Sequence, residues 1–355
     1  MKPNSKKPAI RLALAVLAIA LGLSFIISSV ASSRYTAFST VKSAPASHAH
    51  TTARGMAVME VSTGRLLYAK NENARLPMAS TTKILTAITV LEHVADLGTP
   101  FKVSPKALNI EGSSIYLQRD EQLTARELLY GLMLRSGNDT AMALALHVSP
   151  TVEAFAELMN ETARKAGATD SNYKNPHGLD QDGHYTTALD LARVSAYAMR
   201  NETFREIAAT KSIKINGAEY PRVLQNKNRL LNSLDGCVGV KTGFTKKAGR
   251  SFVGARTHNG MTVVCVVLNC GPMFPESADM MRQAGDEFTF ARILSADEFI
   301  TEGEFNEPRG IAQADFYYPL LANENVDLSF EDDVVIVKLN GEEVHRTKFN
   351  SLALC

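Results

Sequence analysis

Three short words along this chain carry groups that can do covalent chemistry together: Ser80-Thr81-Thr82-Lys83, Ser136-Gly137-Asn138 and Lys241-Thr242-Gly243. Ser80 supplies a nucleophilic hydroxyl and Lys83 an amine that takes its proton as a general base. Three residues apart at the start of a helical pattern, the two side chains face the same way, one turn distant, so the amine reaches the hydroxyl. To act as a base Lys83 must be neutral, which requires burial and a neighbouring cation, and Lys241 is a candidate for that cation. Ser136 offers a second hydroxyl for relaying a proton to a leaving group, and Asn138 an amide for a substrate backbone. Lys241 and Thr242 suit a terminal carboxylate, Gly243 admits a backbone at close range, and the N–H groups of Ser80 and Phe244 form an oxyanion hole. This is the chemistry of an enzyme that acylates itself on a serine.

Each word alone is weak. Ser-x-x-Lys also occurs at Ser39 to Lys42 and at Ser171 to Lys174, but only Ser80 opens a strong apolar stripe, through Ile84, Leu85, Ile88, Leu91 and Val94. Taken singly, Ser80 and Ser136 read as helix caps. Their order and the elements around them change that reading.

Those elements are legible from periodicity. Gly55 to Val61 and Arg65 to Ala69 flank the turn Ser62-Thr63-Gly64 as a hairpin. Helical patterns follow around Leu128 to Met133, Val152 to Ala166 and Ala188 to Met199, and strands return at Val238 to Thr242, Ser251 to Arg256 and Met261 to Leu268. The last alternates poorly and is expected to be buried on both faces. The fold class is α/β (α+β): one antiparallel sheet whose first strands join its last, flanked by helices. Beyond it, Val326 to Phe330, Val334 to Leu339 and Val344 to Lys348, with an Asn340-Gly341 turn, predict a small all-β domain. The expected division is a leader over 1–31, a flexible tether over 32–54, the reactive domain over 55–303 and the β-rich domain over 304–355.

At 355 residues, 45% apolar and a net charge of +1, the chain has an ordinary core and no basic stripe, which excludes nucleic acid as a partner. Lys2, Lys6, Lys7 and Arg11 precede an uncharged run from Leu12 to Ala31, the pattern of an exported protein whose leader is cleaved or stays as a membrane anchor. Cys237, Cys265, Cys270 and Cys355 have no CxxC spacing, so neither a disulfide scaffold nor a metal knot is indicated, and a single bridge stays open. His177, Asp180 and His184 lack the HExxH word of a zinc peptidase and read as polar loop residues. No metal site is indicated by these residues.

Taken together the words resemble those of the serine D-alanyl-D-alanine carboxypeptidases, the low-molecular-mass penicillin-binding proteins. The segment Leu76 to Ala87 is similar to the family's nucleophile segment almost throughout, and Gly112 to Leu117, Ser136 to Asp139, Asn175 to Leu179 and Lys241 to Thr245 with Ala248-Gly249 extend the likeness. The resemblance implies a β-lactamase-like domain that removes the terminal D-alanine from a peptidoglycan pentapeptide stem through an acyl-enzyme on Ser80, that β-lactams acylate the same serine, and that no metal or organic cofactor takes part. Two departures stand out. No amphipathic helix follows the β-rich tail, which leaves membrane attachment to Leu12–Ala31, and Asn269-Cys270-Gly271-Pro272 lacks the Arg that some members carry after the last core strand. A class A β-lactamase is the nearest rival, but Gly137 stands where that family has Asp, and Thr169 to Asn175 holds no deacylating Glu. A silent penicillin-sensing or wall-binding module is the other, opposed by the retention of every reacting side chain.

Overall fold

The computed structural model describes residues 51–216, 221–296, 298–302 and 307–351. The expected leader and residues 32–50 of the tether lie outside the described residues. The hairpin forms as read: β1 (Gly55–Glu60) and β2 (Leu66–Lys70) pair antiparallel. Its turn is fixed by Glu60, whose carboxylate accepts from the N–H of Ser62 at 2.9 Å and of Thr63 at 2.7 Å, and from both hydroxyls.

Two short pairs, β3 (Pro100–Lys102) with β4 (Gln122–Thr124) and β5 (Ser212–Ile215) with β6 (Arg222–Gln225), lie outside the main sheet. The sheet is completed by β7 (Cys237–Thr245), β8 (Gly249–His258) and β9 (Met261–Leu268), in the order β2-β1-β9-β8-β7. The central β9 is buried along almost its whole length, as its poor alternation predicts. β7 is an edge strand, so one of its two sides is left unpaired by the sheet.

The helices are α1 (Lys83–His93), α2 (Ala125–Tyr130), α3 (Asn138–Val148), α4 (Val152–Lys165), α5 (Ala188–Met199), α6 (Glu202–Ala209), α7 (Leu230–Ser233) and α8 (Met273–Glu287). Met56, Val58, Phe252, Cys265 and Val267 pack on Met280, Met281 and Ala284 of α8. Alternation sends Ala57, Val264 and Val266 to the other face, against α5. The last residues of the expected tether are held rather than loose: Glu276 of α8 accepts from the hydroxyls of Thr51 and Thr52 at 2.5 and 2.7 Å, and Arg54 N–H donates to the Leu268 carbonyl at 3.0 Å.

Beyond α8, β10 (Thr289–Leu294) pairs with β13 (Phe316–Leu320), and a second sheet runs β11 (Phe299–Glu302), β12 (Glu307–Ala312), β16 (Glu342–Ser351), β15 (Val334–Leu339), β14 (Val326–Glu331). The β-rich part therefore reaches back across residue 303, because β10 and β11 pair with strands beyond it; a register shift between Arg292 and Leu294 interrupts the alternation that would have revealed this. It has its own apolar cluster, including Leu294, Ile300, Tyr318, Val335 and Phe349. β15 and β16 meet at Asn340 and Gly341, both at positive φ, as the Asn-Gly turn requires. Cys237, Cys265 and Cys270 are free thiols, and Cys355 lies outside the described residues. Among the described residues no helix is long and apolar enough to cross a membrane.

One buried ion pair ties the β-rich part to the first hairpin. The Arg65 guanidinium meets both Glu324 carboxylate oxygens and the Pro319 carbonyl, with the Phe288 and Tyr318 rings each 5.2 Å from its central carbon. Replacing Glu324 by Leu leaves a desolvated cation without its counter-ion. The expected loss is about 3–5 kcal/mol, measured by denaturant unfolding, with the region after Phe288 the first to become protease-sensitive.

Candidate active site

Ser80 sits on a strained turn. Ala79 adopts φ 51°, left-handed for a residue with a Cβ, and opens a tight 3₁₀ turn over Ala79–Thr82 that runs into α1. Such a residue costs about 1–3 kcal/mol and persists only where its surroundings hold it. Here two threonine hydroxyls bond back to the turn: Thr81 to the Met78 carbonyl at 2.7 Å and Thr82 to the Ala79 carbonyl at 2.8 Å. Gly178 (φ 86°) crosses so closely that a Cβ there would stand 2.0 Å from the Ala79 oxygen. Ser80 caps no helix; its hydroxyl, half-buried, faces the Lys83 amine at 3.0 Å.

Lys83 is completely buried. Its Nζ lies 2.7 Å from Asn138 Oδ1 and 2.5 Å from the His177 carbonyl, in addition to Ser80 Oγ. Burial first, then the charges of Lys241 and Lys227, push its pKa well below the ordinary lysine value. Two of the three neighbours can only accept, so a neutral amine gives its two hydrogens to them and turns its lone pair to the Ser80 hydroxyl.

Ser136 follows a widened turn, Gly131–Arg135, at the entrance to α3, with φ 64° and only 4% exposure. Gly137 lies so close to Thr140 that a Cβ would be 2.6 Å from that hydroxyl. Asn138, expected to face a substrate, is engaged within the protein: its oxygen accepts from Lys83 and its nitrogen donates to the Glu111 carbonyl. Sequence reasoning missed Asp139. Its buried carboxylate accepts from the Ser114 hydroxyl at 2.5 Å and from the N–H groups of Ile115 and Leu117 at 3.1 and 3.2 Å, pinning the 112–117 loop against the site. The available signal was an acid in the first turn of a helix next to the Ser-Gly-Asn word.

β7 brings the third word. Lys241 is 1% exposed and donates to the Thr242 carbonyl at 3.1 Å; burial, with a smaller contribution from Lys227, lowers its pKa to about 7. The close approach expected at Gly243 is realised against the protein's own backbone: a Cβ there would come within 3.1 Å of the Met78 oxygen and 3.2 Å of the Ser80 nitrogen. The 175–184 loop closes the back of the site. It gives its His177 carbonyl to Lys83, its Pro176 carbonyl to the Thr86 hydroxyl at 2.7 Å and its Asp180 carboxylate to the Thr245 hydroxyl at 3.0 Å. Three of the ring nitrogens of His177 and His184 are used in this packing, and no cluster of three metal-ligating side chains occurs among the described residues.

These parts open onto a cleft of about 680 Å³. Ser80, Ser136, Thr242, Lys227, Arg229 and Arg250 line it, with an apolar wall at Met273-Phe274-Pro275. The two arginines, from the start of α7 and from β8, carry no local sequence mark of a shared cleft.

The same architecture occurs in known proteins. A DacD carboxypeptidase structure from Francisella tularensis superposes with a TM-score of 0.70 at 23% identity over 85% of this chain and 94% of that one, which speaks for the fold. A Streptomyces DD-transpeptidase structure gives a TM-score of 0.61 at 32% identity, over 67% of this chain and 98% of its own. In sequence, the D-alanyl-D-alanine carboxypeptidase DacF of Bacillus subtilis is 30% identical over 245 residues, 68% of this chain. That match spans 62% of DacF. The family model described as D-alanyl-D-alanine carboxypeptidase matches residues 40–271, more than half of the sequence. The chain belongs to the D-alanyl-D-alanine carboxypeptidase family.

Gly243 packs directly on the Ser80 turn. Gly243→Ala puts a methyl against the Met78 oxygen and the Ser80 and Thr81 nitrogens. The turn must then shift by tenths of an ångström, and a fall of about tenfold or more in the acylation rate is expected with an unchanged circular dichroism spectrum, read with a fluorescent penicillin.

Proposed function

We propose that this protein is a serine-type D-alanyl-D-alanine carboxypeptidase that removes the terminal D-alanine from peptidoglycan pentapeptide stems, and that β-lactams acylate its Ser80. The observation that carries this reading is the buried Lys83 amine, hemmed by two acceptors and facing the Ser80 hydroxyl at 3.0 Å. Ser80 Oγ attacks the carbonyl carbon of the penultimate residue as its proton passes to Lys83 Nζ. The N–H groups of Ser80 and Phe244 receive the developing oxyanion. When the C–N bond breaks, the proton is returned through Ser136 to the amine of the departing D-alanine. Water then attacks the ester, again giving a proton to Lys83, and the Ser80 oxygen recovers its hydrogen as the acid leaves.

The substrate's terminal carboxylate is held by Thr242 with Lys241 beneath it. The exposed Arg229 and Arg250 face the same cleft and supply the cationic charge that the Asn269 to Pro272 segment lacks. Asn138 acts by orienting Lys83. The basic and apolar pattern of residues 2–31 supports export, through an anchor or a cleaved leader, to the side of the membrane where the stem peptide is met.

Mass spectrometry of a pentapeptide stem tests the reaction: one alanine is lost with the wild-type protein and none with Ser80→Ala. Retention of all alanines by both overturns the reading. The rate also has a defined pH shape. Lys83 must be neutral, and its lowered pKa puts the rising limb below the ordinary lysine range. Lys241 is required as a cation, and with a pKa of about 7 its charge is lost as pH rises through that value, so kcat/KM falls on the alkaline side. In Lys241→Arg the charge persists and the alkaline limb moves to higher pH.

A further inference from the structure

Behind the nucleophile runs a line of polar contacts that this scheme leaves unused. His184 is buried, with its ring edge-on to Tyr173 at 5.9 Å between centroids. The Lys174 N–H points at its Nδ1 from 3.0 Å, so Nδ1 accepts and the ring proton is on Nε2. Nε2 lies 3.0 Å from Thr82 Oγ1, which lies 2.8 Å from the Ala79 carbonyl. A carbonyl can only accept. The line therefore has one direction: His184 Nε2–H to Thr82 Oγ1, and Thr82 O–H to the Ala79 oxygen.

The Ala79 carbonyl and the Ser80 N–H belong to one planar peptide unit and point opposite ways. The oxygen end meets Thr82 and Gly178, while the nitrogen end meets Gly243 of β7, the residue before Phe244. Whatever fixes the oxygen thus aims the N–H. A hydrogen bond to the oxygen also polarises the peptide and makes its N–H a stronger donor.

We propose that His184 and Thr82 are positioning residues that hold the Ala79–Ser80 peptide, against the strain of a left-handed Ala79, with its N–H turned into the cleft as the oxyanion donor. The inference rests on the acyl-transfer reading above. Neither side chain touches substrate; both act through the peptide plane. The burial that pushes the His184 pKa to about 4 keeps its ring neutral and its tautomer fixed at neutral pH.

The test uses Thr82→Val, which keeps the shape and removes the hydroxyl, with His184→Leu, His184→Gln and the Thr82→Val/His184→Leu pair. Penicillin acylation is followed by stopped flow, and the ester carbonyl of the acyl-enzyme by infrared difference spectroscopy. Thr82→Val and His184→Leu are expected to slow acylation by roughly tenfold or more with the initial binding constant changed less than about twofold, and to move the ester carbonyl to higher wavenumber. The pair is expected to be no slower than the worse single variant, since both break one line, and Gln, which can still donate to Thr82, recovers part of the rate. Wild-type acylation rate and carbonyl frequency in Thr82→Val overturn the proposal, as do multiplying effects in the pair. Should His184→Leu fail to fold, Thr82→Val decides alone. A wild-type protein that penicillin does not acylate overturns the acyl-transfer reading instead, before any variant is compared.

Discussion

The whole site depends on one amine deprived of water. Lys83 meets three oxygens from three separate stretches of chain: Ser80 on the turn before α1, Asn138 at the start of α3 and His177 in the 175–184 loop. No short peptide could assemble that environment, since an exposed lysine is solvated and protonated at neutral pH. The sheet, the helices around α1 and the loop behind it together supply a hollow in which a charged ammonium is disfavoured and two acceptors await a neutral amine's hydrogens. Lys241, buried nearby, adds a like charge that acts in the same direction.

Such a hollow requires close contacts at several points. Gly178 and Gly243 bracket the Ala79–Thr82 turn, one near the Ala79 oxygen and the other near the Ser80 nitrogen, and at each the neighbour is backbone that has little room to yield. Asp139 plays the corresponding part on the other wall, collecting the donors of the 112–117 loop. The 175–184 loop, which sequence reading treats as a polar connection, touches Lys83, the Ala79–Thr82 turn and the end of β7.

Much of this was legible beforehand because it rests on local patterns. The β1–β2 hairpin, α5 at Ala188–Met199 and β9 at Met261–Leu268 follow from periodicity and turn residues. The Ser80–Lys83 approach follows from helical spacing alone. What sequence could not display depends on tertiary contact. Asn138 gives no local sign that its amide also joins Lys83 to the Glu111 carbonyl. Gly243 gives no local sign that it also packs against Met78 and Ser80. Arg229 and Arg250 come from distant elements and carry no local mark of a shared cleft. The start of the β-rich part was misplaced because β10 and β11 are short, interrupted strands whose partners lie beyond residue 303.

Burial of two lysines also sets a thermodynamic cost for the native state. Lys241 titrates near 7 in the folded protein and near about 10.4 in an unfolded chain. Between those values the unfolded chain binds more protons, so conformational stability climbs as the solution becomes more alkaline. Below about 7 both forms are protonated and that gain is absent. The lowered Lys83 adds to the same slope. A chain of this fold with apolar side chains at both positions would escape the cost of burying two amines and would lose the groups that give the cleft its chemistry.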